Sequence, residues 1–116
     1  MLTKEEVLRK TIDLIKKYGR ASKAGRCQYL VDGKMCAFGL WLEDPGCFNY
    51  WVAAYSLLLK HGQFILKEEV RHIKNIVFWN SLQNLHDADE NWGPDNALTR
   101  EGRDFIKNTF DVCIED

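Results

Sequence analysis

The pattern of apolar and polar positions divides the chain into a helical start, a short extended middle and a helical remainder. Thr3 followed by Glu6 forms a capping box, in which each side chain satisfies the other residue's backbone N–H. Leu2 and Val7 have the spacing of a hydrophobic staple. Val7, Leu8, Ile12, Leu14 and Ile15 then recur near the helical period, and Gly19 stops that helix near Tyr18. Residues 20–25 are small, polar and basic, which predicts a loop.

From Arg26 to Gly39 the period changes to two. Asp32-Gly33 is a strong hairpin signal, because a tight turn of this kind needs two residues with positive φ. With these two at the turn, Val31 faces Lys34, Tyr29 faces Cys36, and Cys27 faces Phe38. Cys27, Tyr29, Cys36 and Phe38 then share one face, with the two sulfurs on a diagonal. A lone hairpin is marginal in water, so this face is expected to pack on helices.

Glu43-Asp44-Pro45-Gly46 reads as a turn. A helix is predicted from about Phe48 to Lys60, ended by His61-Gly62; Tyr50, Trp51, Ala54, Tyr55, Leu58 and Leu59 make it apolar on more than one face. A third helix is predicted from Leu66 to His86, with Val70, Ile73, Val77, Leu82 and Leu85 on its core face. Residues 87–96 form an acidic loop. Thr99 caps a last helix whose apolar side is Phe105, Ile106, Phe110 and Cys113, with Gly102 as a weak point in its first turn. The expected fold class is α+β: mostly helical, about four helices with one β-hairpin packed against them, as a single domain over residues 1–116.

Composition narrows the function classes. With 116 residues, 46% hydrophobic and 12% aromatic, the chain can build a packed core. No apolar run approaches the roughly 20 residues that cross a bilayer. The opening residues read as a helix start and not as a leader, so a cytoplasmic location and no membrane partner are expected. Four cysteines in such a chain are expected as thiols and not as disulfides.

Charge is unevenly spread. Residues 1–34 hold nine Lys/Arg against four Asp/Glu, and residues 35–116 hold seven against thirteen. Lys16, Lys17, Arg20, Lys23, Arg26 and Lys34 would form a basic patch for a phosphate-bearing or acidic ligand, with Arg20, Lys23, Arg26 and Lys34 as its binding residues. Tyr29 lies within the same stretch, and Trp92, set in the acidic loop, is the tryptophan expected at the surface. Aromatic and basic groups together suit either base stacking or a protein interface. Solvated charge and core aromatics are the plainer reading of the same residues.

Two thiols, an imidazole and a carboxylate are the versatile groups that a compact fold would bring together. A cysteine beside a histidine can ionise, and a carboxylate can orient the imidazole. Cys36 with His86 and Asp87 is therefore a candidate catalytic set, Cys36 being the nucleophile because Ala37 and Gly39 leave room beside it. No cysteine-protease signature accompanies it. Cys27, Cys36 and His86 are also zinc-ligand types, but eight residues between the cysteines is not a knuckle spacing. The segment from Asp87 departs from a calcium loop, with Gly93 seventh where the sixth is needed. No cofactor is expected.

Cys27, Tyr29, Asp32, Gly33, Cys36, Ala37 and Gly39, followed by Leu82, Gln83, His86 and Asp87, resemble a family of small, largely uncharacterised bacteriophage and prophage proteins. That family carries a Cys-x-Tyr…Asp-Gly-x-x-Cys-Ala-x-Gly block and a later Leu-Gln-x-x-His-Asp. The chain departs from it after the hairpin, where Leu40-Trp41-Leu42-Glu43-Asp44-Pro45 replaces an Ile-Pro-Asp-Glu type segment. The resemblance implies a small protein acting in the host cytoplasm that binds and blocks a host or defence component. Its ligand would be a host protein or a small nucleotide, with nucleic acid less favoured and homo-oligomerisation open. A cysteine-dependent hydrolase or transferase is the alternative.

Overall fold

The computed structural model describes residues 1–19, 30–31, 34–35, 37–44 and 54–114. Among these, four α-helices make the body: α1 (Lys4–Tyr18), α2 (Ala54–His61), α3 (Ile76–Asp87) and α4 (Arg100–Phe110). No helix is long and apolar enough to cross a membrane among the described residues.

The α+β expectation is corrected to a helical architecture. Among the described residues, strand pairing at the predicted hairpin is seen at β1 (Leu30–Val31) and β2 (Lys34–Met35), two residues each, with Leu30 opposite Met35 and Val31 opposite Lys34. The described pairing does not make a sheet layer on the helices. The described continuation after β2 does not extend the strand: Gly39–Trp41 is a single 3-10 turn, and Ala37 and Phe38 are buried among helices. The segments around Cys27, Tyr29 and Cys36, and the start of the predicted second helix at Phe48, lie outside the described residues.

α1 forms as its cap demands. Thr3 Oγ1 accepts from the Glu6 N–H at 3.1 Å, and Glu6 Oε1 accepts from the Thr3 N–H at 2.9 Å. Gly19, at φ 85°, ends the helix in a conformation that favours glycine. The buried face is Val7, Leu8, Thr11, Ile12 and Ile15. Thr11 is polar in this row and doubly bonded: its hydroxyl donates to the Val7 carbonyl at 2.7 Å and accepts the Trp41 indole N–H at 2.8 Å. That satisfies the indole of a buried tryptophan 30 residues away.

The predicted Leu66–His86 helix is two structures. Its first part is a bridge and a turn. Leu66 pairs antiparallel with Leu42, flanked by Glu43 N–H to Ile65 O at 2.8 Å and Lys67 N–H to Trp41 O at 2.9 Å. A 3-10 turn follows at Glu68–Val70, and the α3 helix begins only after Asn75, whose Oδ1 caps the Phe78 N–H at 3.3 Å. Val70 and Ile73 are buried as the pattern predicts, but from the turn and the segment after it, and Leu66 is buried from the bridge. Because the helix restarts at Ile76, Val77 falls out of phase. It is 71% exposed and not a core residue.

Two short turns, Asp89–Asn91 and Pro94–Asn96, lead into α4, capped by Thr99 as predicted. Gly102 is buried against the first of these turns. A Cβ there would stand 2.4 Å from the Asn91 carbonyl oxygen and 3.0 Å from Leu98 Cδ2. The glycine that weakens the helix locally is what lets it dock. α4 stops at Phe110 because Asp111 turns left-handed at φ 57°, so Cys113 lies beyond the helix and is exposed. Phe78 packs edge-on against both Trp79 and Phe110, at 5.2 and 5.8 Å between ring centres, which ties α3 to α4.

Candidate functional site

His86 and Asp87 close α3. The Nδ1 of His86 lies 2.7 Å from Asp87 Oδ1. In this contact a ring hydrogen on Nδ1 would be donated to the carboxylate. The same oxygen accepts from Gln83 Nε2 at 2.8 Å, one helical turn earlier. Gln83 Oε1 in turn accepts the backbone N–H of Phe38 at 2.9 Å. A continuous line therefore runs from the residue two past Cys36 to the imidazole: Phe38 backbone, Gln83 amide, Asp87 carboxylate, His86 ring.

The ring is only 1% exposed and Gln83 is equally enclosed, while Asp87 reaches the surface. A base acting on an outside substrate needs hydrogen-bond reach to it. His86 has a general base's orienting partner and lacks access from solvent in this conformation. The line of bonds anchors the Ala37-Phe38 segment onto α3 through Gln83.

The other sequence-predicted residues divide into two groups. Cys36, Cys27, Tyr29, Arg20, Lys23 and Arg26 lie outside the described residues, as does the side chain of Lys34, so the predicted catalytic set and most of the predicted basic patch fall outside what the structure describes. Trp92 is corrected. It is only 8% exposed, and its indole N–H donates to the Leu85 carbonyl at 2.9 Å. Asn91 Nδ2 donates to the same carbonyl at 3.2 Å. Trp92 thus closes the end of α3 and is no surface contact. No cluster of three metal-ligand side chains forms among the described residues.

A groove that sequence reasoning missed opens elsewhere. It has a volume of about 410 Å3 and lies where the starts of α1 and α3 meet the end of α4. Leu8 and Phe78 form its buried floor, with Phe110 and Val112 beside them. Val77 is its exposed apolar lip, and Asn75, Ser81 and Thr109 add neutral polar groups.

The rim carries Lys4, Glu5 and Asp111. Glu5 is held by Arg9 at 3.0 Å, and Asp111 by Lys107 at 2.8 Å. The Lys107 hydrogen bond and charge lower the Asp111 carboxyl below its ordinary range, and Asp111 raises Lys107 in return. Lys4 has no acidic partner among the described residues. Nothing in the sequence pattern marks this groove, because its walls come from three elements far apart in the chain. Against known proteins, no family model, no curated protein and no solved structure matches the chain.

Proposed function

We propose that the chain is a small binding protein of phage type, acting in the host cytoplasm by engaging and blocking a host or defence component. One observation carries the preference for binding over catalysis. The groove has an apolar floor and lip with polar groups at its edge, as ligand sites do, and among the described residues no imidazole or thiol lines it. The imidazole that would serve catalysis is enclosed elsewhere. Exposed Leu59 and Phe64 add apolar surface at the end of α2, where the Arg71 guanidinium lies 6.0 Å from the Phe64 ring centre. Aromatic and arginine side chains of this kind are common anchors of protein interfaces.

The cysteine-dependent enzyme reading keeps a single support, the His86–Asp87 contact. The two are separated by affinity capture from bacterial host lysate, followed by reconstitution with the purified captured protein. The binding reading expects a stoichiometric complex that survives Cys36→Ser. Failure to reconstitute any complex, together with a hydrolytic activity abolished by Cys36→Ser in a folded chain, would replace it with the enzyme.

A further inference from the structure

We infer that the groove between the starts of α1 and α3 and the end of α4 receives a partner segment that pairs a large apolar side chain with a neighbouring carboxylate. This inference rests on the binding reading above and names the chemistry of the partner. The apolar half follows from the lining. Leu8 and Phe78 are already desolvated at the floor, whereas Val77 is 71% exposed at the lip, so an inserted side chain would bury apolar surface now facing water. The volume of about 410 Å3 admits one large side chain with its flanking backbone. Asn75, Ser81 and Thr109 supply hydrogen-bonding groups to that backbone.

The acidic half follows from charge complementarity. Both carboxylates at the rim are matched within the chain, Glu5 by Arg9 and Asp111 by Lys107. Lys4 is the rim charge with no acidic partner among the described residues. It also stands at the first position of α1, where the helix dipole disfavours a cation, and α3 starts beside it. The α1 start is already occupied by the Glu6 carboxylate, so an incoming carboxylate at Lys4 meets an ammonium with no acidic partner among the described residues, beside the start of α3. An incoming cation would meet carboxylates that are already paired.

The test uses a displayed library of random peptides selected on the full chain, and the enriched peptides are then measured on the Val77→Asp variant. Val77 and Lys4 are exposed and outside the core, and circular dichroism checks that each variant is folded. Enriched peptides are expected to join an aromatic or aliphatic residue to Asp or Glu. They should shift amide resonances of Ser81, Thr109 and Val112, and lose about two- to fivefold in affinity on Lys4→Gln, the range of one exposed ion pair. Peptides that bind the Val77→Asp variant equally well, that lack acidic residues, or that fail to enrich would overturn the inference. A partner complex that survives Val77→Asp but is lost on Phe64→Asp would overturn it too, while leaving the binding function standing.

Discussion

Replacing Gly102 by alanine sets two effects of known sign against each other. In an exposed helix interior, Gly→Ala gains about 1 kcal/mol from propensity. Here the new Cβ would lie 2.4 Å from the Asn91 oxygen, a distance that requires movement. The obstacle is backbone, and that backbone is held: the Asn91 carbonyl also accepts the Thr99 N–H at 3.0 Å, and Asn91 is anchored to Leu85. Overpacking of this kind costs about 1–3 kcal/mol, and weakening the Thr99 bond adds about 1 kcal/mol. Net destabilisation of about 1–3 kcal/mol is expected, since the opposing costs exceed the propensity gain. Urea denaturation followed by circular dichroism measures it, and about 2 kcal/mol should lower Tm by roughly 8 °C. Asn108→Ala, exposed on the same helix, is the control and should stabilise by a few tenths of a kcal/mol. A Gly102→Ala chain as stable as the parent would refute the close approach of α4 to the Asp89–Asn91 turn.

Gln83→Leu removes the acceptor of the buried Phe38 N–H and should destabilise by about 1–3 kcal/mol in the same assay; hydrogen exchange at Phe38 should accelerate with it. Thr11→Val strips the acceptor from the Trp41 indole at a similar cost of about 1–3 kcal/mol. Thr11→Val with Trp41→Phe should cost less than the sum of the two changes, as a double-mutant cycle would show. The Thr3 backbone N–H, and then its hydroxyl, hold the Glu6 carboxyl below its ordinary range. A carboxyl depressed in the folded state contributes stability above the unfolded value, and loses it as pH falls through the folded value. The pH dependence of stability between about pH 5 and 3 should therefore be shallower in Glu6→Gln than in the parent.

What could be read from the sequence was local. The Thr3–Glu6 capping box and the Thr99 cap act within one turn, so the residues that set them are adjacent in the chain. The stretch from Leu66 to Ile73 reads as helix because a spacing of four and three fits a helix as well as it fits a bridge followed by a 3-10 turn. The competing signal was Asn75, a good N-cap in the middle of the supposed helix. Trp92 was misassigned because its acidic neighbours suggest solvent, while its indole finds a carbonyl seven residues back that no composition reveals. At the site, the adjacent His86 and Asp87 were legible as a pair. The part of Gln83 was not, since Phe38 stands 45 residues away. The groove was invisible for the same reason: Lys4, Val77 and Phe110 meet only once three helices are packed.

The bridge between Leu42 and Leu66 gives the chain a neck. The path that leaves at Glu43 returns at Ile65, so α2 belongs to a closed circuit and not to a tether strung between α1 and α3. Lengthening such a circuit is cheap, since doubling a closed loop adds only about 0.6 kcal/mol of entropy. Gly62, at φ 78° with its N–H on the Leu58 carbonyl, closes α2 within that circuit, so an epitope or a reporter grafted there should leave this glycine in place.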